Sequence, residues 1–124
     1  MDYFEYKNNE LFCEEVNLKE ISKNVGTPAY IYSKKTLERH ANAYLRSFSS
    51  TKGLVCFSVK SLSNLSALNV LKNIGCGFDI VSGGELHRVL KIKADPNKII
   101  FSGVGKSEEE IEYGIRNKIL SFNI

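Results

Sequence analysis

Cysteine is scarce in this chain, and the few cysteines present lack the spacing of a metal site. Cys13, Cys56 and Cys76 lie far apart among the 124 residues. Their number is odd and two of them lie within apolar runs, which favours buried thiols in a reducing compartment over a disulfide framework.

Long apolar runs are absent as well. No stretch approaches the roughly 20 apolar residues that a membrane-spanning helix needs. The first six residues lack the basic and apolar regions of a signal peptide. Together with the cysteines, these absences predict a cytoplasmic protein without a membrane partner.

Concentrated charge of one sign is missing too. The 17 basic and 14 acidic residues are interspersed and give a net charge of +3, so no basic stripe suggests a nucleic-acid partner. The two histidines, His40 and His87, have no second histidine or carboxylate at ligand spacing. No Ser/His/Asp triad can be assembled, so neither a metal site nor a triad hydrolase is expected.

The patterns in the first third of the chain predict short strands and helices that do not repeat regularly. Two asparagines within Lys7–Glu10 tolerate positive φ and indicate a hairpin turn between two strand-like runs. Asn17 is expected to cap a helix that ends near Gly26, and Ala29–Tyr32 has the composition of a short strand. Ser33 can cap a longer helix, whose apolar stripe consists of Leu37, Ala41, Tyr44, Leu45 and Phe48.

From Gly53 onward, strand-like and helical patterns alternate regularly. The strand-like runs are marked by Leu54, Phe78, Ile99 and Leu120, at spacings of 24, 21 and 21 residues. This period predicts repeated right-handed βαβ units with parallel strands, in an α/β fold. A barrel and an open sheet both fit, and the short, equal spacing favours the barrel. A TIM-type (β/α)₈ barrel needs about 250 residues, so the chain is expected to be an N-terminal piece with about the first four strands.

Two residues in these strands suggest chemistry. Lys60 follows the run Leu54–Val59, and a lysine at the end of a buried strand is a candidate reactive amine because burial lowers its pKa. Asp79 lies in the next apolar run, where a carboxylate is costly unless it is paired. Since successive βα strands are usually neighbours, we expect Lys60 to pair with Asp79. A catalytic pair and a structural salt bridge fit these residues equally well.

Two glycine-containing turns also precede helices. Gly103-Val-Gly-Lys-Ser107 lacks the first glycine of a nucleotide-binding loop, and Ile100 stands in its place, so a capped turn is the better interpretation. Ser82-Gly-Gly84 has backbone amides that can hold an anion, but a tight βα turn explains it more simply.

The motifs together resemble a known family. They are Phe57-Ser-Val-Lys-Ser61, Gly77-Phe-Asp-Ile-Val-Ser-Gly-Gly-Glu-Leu86 and Phe101-Ser-Gly-Val-Gly-Lys-Ser107. They are similar to the pyridoxal-phosphate-dependent amino-acid decarboxylases with an alanine-racemase-like barrel. The similarity covers nearly all 124 residues and is greatest to the branch that decarboxylates meso-diaminopimelate to L-lysine, the last step of lysine biosynthesis.

This resemblance implies a cofactor, a site and an assembly. Lys60 occupies the position of the lysine that binds pyridoxal phosphate covalently, and Asp79 matches an aspartate near that lysine. The resemblance further implies a homodimer. The family's phosphate loop, its partner for the pyridine nitrogen and its substrate-reading residues come later in the chain, so this piece alone is expected to be inactive. The three cysteines do not match the cysteine that the family contributes across its dimer.

The resemblance also divides the chain and leaves two alternatives open. Residues 1–32 would belong with a C-terminal β domain, and residues 33–124 would form the incomplete cofactor-binding barrel. One alternative is a sister decarboxylase of ornithine, arginine or carboxynorspermidine. The other is a non-catalytic partial barrel that binds a partner through its strand edges.

Overall fold

The computed structural model describes residues 2–124, which divide into two compact units, one ending at His40 and the other covering Ala41–Ile124. Each unit contains one sheet. Among the described residues, no helix is both long and apolar enough to cross a membrane.

The first unit contains a small antiparallel sheet. Strands β1 (Phe4–Lys7), β2 (Glu10–Cys13) and β3 (Val16–Asn17) pair in sequence order. Asn8 and Asn9 both have positive φ, 50° and 61°, which is the backbone conformation of a tight hairpin turn. The predicted hairpin is therefore confirmed, because asparagine adopts this conformation with little strain.

Two helices follow in sequence. Helix α1 (Leu18–Val25) is capped by the Asn17 side chain, which accepts a hydrogen bond from the Lys19 backbone N–H. Helix α2 (Lys34–Ser47) begins after Ser33, whose hydroxyl oxygen accepts from the Thr36 N–H. The expected strand at Ala29–Tyr32 is wrong: this segment is irregular and Tyr30 is 91% exposed. No strand of the described chain pairs with this segment, so it does not form a strand despite its strand-like composition.

The second unit contains a four-stranded parallel sheet. Its strands are β4 (Cys56–Ser58), β5 (Gly77–Ile80), β6 (Ile99–Phe101) and β7 (Ser121–Phe122), paired in sequence order. The connecting helices are α3 (Leu65–Asn73), α4 (Gly83–Lys91) and α5 (Glu108–Arg116). The predicted βα alternation is confirmed.

The core of this unit lies between the sheet and its helices. Alternate strand residues point to one face, and the buried ones are Phe78, Ile80, Ile99 and Phe101. They pack against apolar residues of α3 and α4, namely Leu68, Leu71, Leu86 and Val89. The intervening residues, such as Asp79 and Ile100, lie on the opposite face, which we call the inner face.

Candidate functional site

The candidate site lies at the C-terminal edge of the parallel sheet. Because all four strands run the same way, the segments that follow them meet at this edge. α/β barrels and open α/β sheets place their chemistry there. The segments include Lys60 after β4, the turn Ser82–Gly84 after β5, and the loop Ser102–Ser107 after β6.

Lys60 lies in a one-turn 3₁₀ helix, Val59–Ser61, directly after β4. Its neighbour Val59 is fully buried and anchors this turn, whereas the Lys60 side chain is exposed. The expectation of a buried lysine is therefore wrong, because the chain leaves the sheet before Lys60. Within residues 2–124, the Lys60 amine has no hydrogen bond or ion pair, so it is available to a reaction partner.

Asp79 is half-buried on the inner face of β5, where the register places it opposite Ser58. Its Oδ1 accepts a hydrogen bond of 2.5 Å from the Ser102 hydroxyl. No direct ion pair joins Asp79 and Lys60 in the described chain, so the expected salt bridge is not formed. The reason is register: the paired segment of β4 ends at Ser58, and Lys60 lies beyond it.

The inner face around Asp79 includes the small residues Cys56, Ser58 and Gly77 beside the larger Ile100. A side chain at Gly77 would place its Cβ 2.5 Å from the Lys98 carbonyl oxygen and 2.9 Å from the Cys56 sulfur, so only glycine fits this close approach. Burial raises the pKa of the Cys56 thiol, and the nearby Asp79 carboxylate raises it further. Cys56 and Asp79 are thus electrostatically coupled on one face.

Glu110 joins two of the edge segments. Its Oε1 accepts a 2.6 Å hydrogen bond from the Gly83 N–H, and its Oε2 accepts a 3.1 Å bond from the Ser107 N–H. These bonds, the Gly83 bond foremost, hold the pKa of Glu110 below its usual range. The Gly83 amide is thereby occupied, which supports the tight-turn interpretation of Ser82–Gly84 over an anion site.

Lys106 joins the next pair of segments. Its amine donates to the carbonyl oxygen of Gly103 and, at 2.8 Å, to that of Asn123. The amine also lies 5.8 Å from the centroid of the Phe101 ring. Because the Lys106 amine already donates to two carbonyl oxygens, in the segments after β6 and β7, the loop is better explained as a capped turn than as a nucleotide-binding loop.

Sequence reasoning missed two contributors to this edge. Ser102 and the link from Glu110 to Gly83 both connect residues more than 20 positions apart. The alternation of side chains along a strand could have indicated Ser102, because it lies two residues beyond Ile100 and so on the same face, and the register pairs Ile100 with Asp79. His40 and His87 are both exposed helix residues. Among residues 2–124, no group of three or more potential ligands could hold a metal ion.

Comparison with known proteins identifies the family. The model of the "pyridoxal-dependent decarboxylase, pyridoxal binding domain" matches residues 34–124. The chain belongs to this family. The resemblance based on the Lys60 and Asp79 motifs is therefore confirmed, and the cofactor of the family is pyridoxal phosphate.

Two similar curated relatives of this chain are both named diaminopimelate decarboxylase. The chain is 46% identical to the diaminopimelate decarboxylase of Haemophilus influenzae and 48% identical to that of Vibrio cholerae. Both matches cover 100% of this chain. The chain spans only 30% of the length of either relative.

Solved structures agree on the fold. A protein of Aquifex aeolicus, AQ1208, superposes with a TM-score of 0.92 at 40% identity, over 98% of this chain and 30% of its own. The diaminopimelate decarboxylase of M. jannaschi gives a TM-score of 0.93 at 32% identity, over 99% of this chain and 30% of its own. The predicted fold, the first strands of a pyridoxal-phosphate-binding barrel, is confirmed. The domain boundary at residue 32 and the roles of Lys60 and Asp79 stay predictions.

Proposed function

We propose that this chain forms part of a cytoplasmic, homodimeric diaminopimelate decarboxylase that releases carbon dioxide from meso-diaminopimelate and yields L-lysine. The observation that carries the proposal is the place of Lys60. It lies at the C-terminal edge of the first parallel strand, with an exposed amine that has no partner in residues 2–124. The enzyme name shared by the relatives supports the choice of substrate.

The residues present fit the aldehyde end of pyridoxal phosphate. An exposed primary amine is the group that binds an aldehyde covalently. On the inner face of β4 and β5, Cys56 and Ser58 have small side chains, Gly77 has none, and Asp79 carries a carboxylate. Lys60 would hold the cofactor, and Asp79 would lie close to it.

The chain's own groups then have distinct tasks. Pyridoxal phosphate, when bound, supplies an electron sink for the electron pair left by the departing carbon dioxide. Lys60 holds that cofactor at the strand edge through its Nζ. Asp79 supplies a fixed negative charge on the inner face, which stabilises a positive charge on a nearby nitrogen. Glu110 and Lys106 tie the surrounding loops, so the edge is organised before any ligand arrives.

The test requires a complete barrel. We define the joined protein as residues 1–124 followed by the part of the Haemophilus influenzae relative that lies beyond its matched segment. After incubation with pyridoxal phosphate and reduction with borohydride, peptide mapping by mass spectrometry is expected to find the cofactor on Lys60. Lys60→Ala should lose this adduct and all release of carbon dioxide, while Lys91→Ala, an exposed helix lysine, should keep both.

The outcomes separate the alternatives. An adduct on Lys106 or Lys93 with Lys60 unmodified would refute the assignment of Lys60. Offering diaminopimelate, ornithine and arginine in parallel tests the substrate, because a sister decarboxylase would prefer one of the last two. A joined protein that folds but neither binds the cofactor nor releases carbon dioxide would support the non-catalytic alternative. Analytical ultracentrifugation then distinguishes a dimer from a monomer.

A further inference from the structure

The contact between Ser102 and Asp79 is a close polar link within the proposed site. The Ser102 hydroxyl donates to Asp79 Oδ1 at 2.5 Å, and both side chains are half-buried. Among the described residues, the Asp79 carboxylate has no other hydrogen-bond donor. A hydrogen bond to a charged oxygen is stronger than one between neutral groups, so this single bond sets the orientation of the carboxylate.

The backbone holds Ser102 in place for this bond. The Ser102 N–H donates to the Ile80 carbonyl oxygen at 2.7 Å, which extends the parallel ladder one step beyond Phe101. Strand alternation then directs the Ser102 side chain to the inner face, the same face as Asp79. Ser58 lies directly opposite Asp79 in the register but makes no hydrogen bond to it.

We propose that Ser102 is a positioning residue that fixes the Asp79 carboxylate, leaving Oδ2 free to face the nitrogen of Lys60 when the cofactor is attached. This inference rests on the proposed function, since it assigns a purpose to the orientation of Asp79. A carboxylate held in one orientation stabilises a protonated nitrogen better than one that rotates, because no reorganisation is needed. Removing the hydroxyl should therefore make that nitrogen easier to deprotonate.

The experiment uses the joined protein with pyridoxal phosphate bound. The visible absorbance of the bound cofactor is titrated with pH in the unsubstituted protein, Ser102→Ala, Ser102→Thr, Asp79→Asn and the double variant Asp79→Asn/Ser102→Ala. Ser121→Ala is the matched control. Ser121 pairs with Ile100 in the register and so lies on the same inner face, but it makes no hydrogen bond to Asp79.

The expected result is that the pH midpoint of the cofactor absorbance depends on Ser102 only when Asp79 is present. Ser102→Ala should lower the midpoint by roughly half a pH unit, and Asp79→Asn should lower it more. Ser102→Thr, which keeps the hydroxyl, and Ser121→Ala should leave it unchanged. In the Asp79→Asn background, Ser102→Ala should add nothing, because its effect passes through the carboxylate.

Other outcomes overturn the inference. An unchanged midpoint in Ser102→Ala, or an equal shift with and without the Asp79 carboxylate, shows that Ser102 does not act through Asp79. If Ser102→Ala fails to fold, Ser102→Cys replaces it, since a thiol is a weak donor of similar size. Failure of the proposed function is distinguishable, because the unsubstituted joined protein would then carry no cofactor on Lys60.

Discussion

On the inner face, the charge of one residue changes the pKa of its neighbour. Cys56 and Asp79 lie on this face of neighbouring strands, and the Asp79 charge opposes ionisation of the Cys56 thiol. The larger cause of the raised thiol pKa is burial, which a substitution at Asp79 leaves in place. The Cys56 thiol is therefore a built-in probe of the charge at position 79.

We expect Asp79→Asn to lower the pKa of Cys56 towards its ordinary value, because a negative charge that disfavours the thiolate is removed. The measurement is the pH dependence of iodoacetamide labelling in the cofactor-free joined protein, read peptide by peptide. Cys76, whose raised pKa comes from burial and not from Asp79, is the internal control. Equal labelling profiles for Cys56 with and without Asp79 would contradict the coupling.

Helix α5 organises the site edge through its first turn. Ser107 and Glu110 form a reciprocal capping box, and Glu110 also accepts from the Gly83 N–H of the preceding βα turn. The capping box lies within one helix, whereas the bond to Gly83 links two repeats. Glu110 in the first turn of α5 therefore stabilises its own helix and also holds the turn after β5 in place.

Glu110→Ala should destabilise the protein by roughly 1–2 kcal/mol, since a cap and a second backbone partner are lost together. Because the folded-state pKa of Glu110 is lowered, its stabilisation is present above the unfolded pKa of about 4.3 and is lost as pH falls through the folded value. In urea unfolding of the joined protein, Glu110→Ala should lose the most free energy of unfolding, relative to the unsubstituted protein, near neutral pH. Glu112→Ala is the control on the same helix, and an equal loss there would refute the special role of Glu110.

The seam between α5 and β7 depends on the absence of a side chain at Gly114. A Cβ there would lie 2.6 Å from Phe122 Cζ and 3.1 Å from Ile119, and Phe122 stacks on the buried Phe101 ring. We expect Gly114→Ala to destabilise by about 1–3 kcal/mol despite the higher helix propensity of alanine. Gly105→Ala, with nothing within 4 Å of its Cβ, should leave the urea midpoint unchanged. Unchanged stability in Gly114→Ala would show that Phe122 can move aside.

At the scale of the whole molecule, the second unit has an open sheet. In the described chain, β4 and β7 each pair on one side only. Open strand edges favour association between chains. We expect residues 1–124 alone to melt without a sharp cooperative transition and to release no carbon dioxide from diaminopimelate, whereas the joined protein should melt cooperatively. A cooperative melt of monomeric residues 1–124 in differential scanning calorimetry would overturn this expectation.

Local patterns predicted most of the fold. The asparagines at Asn8 and Asn9, the cap at Asn17 and the βα period from Gly53 all act through neighbours in sequence, and each led to the element observed. Ala29–Tyr32 is the exception: strand composition is realised only where a partner strand supplies hydrogen bonds, and composition does not specify the partner. Lys60 was chosen as a candidate because it follows a strand, and Asp79 because a carboxylate in an apolar strand is costly unless it is paired; their roles stay predictions.

The partners of those residues could not be read from local patterns. The expected contact between Lys60 and Asp79 required knowing where β4 stops pairing, and the observed partner, Ser102, lies 23 residues from Asp79. Glu110 likewise reaches Gly83 across 27 residues. Such contacts form only after the strands have taken their register and the helices have packed, because each strand step moves a side chain to the other face of the sheet. The sequence therefore placed Lys60 at the strand edge as a candidate, and the tertiary structure determined which side chains hold Asp79 and the loops in position.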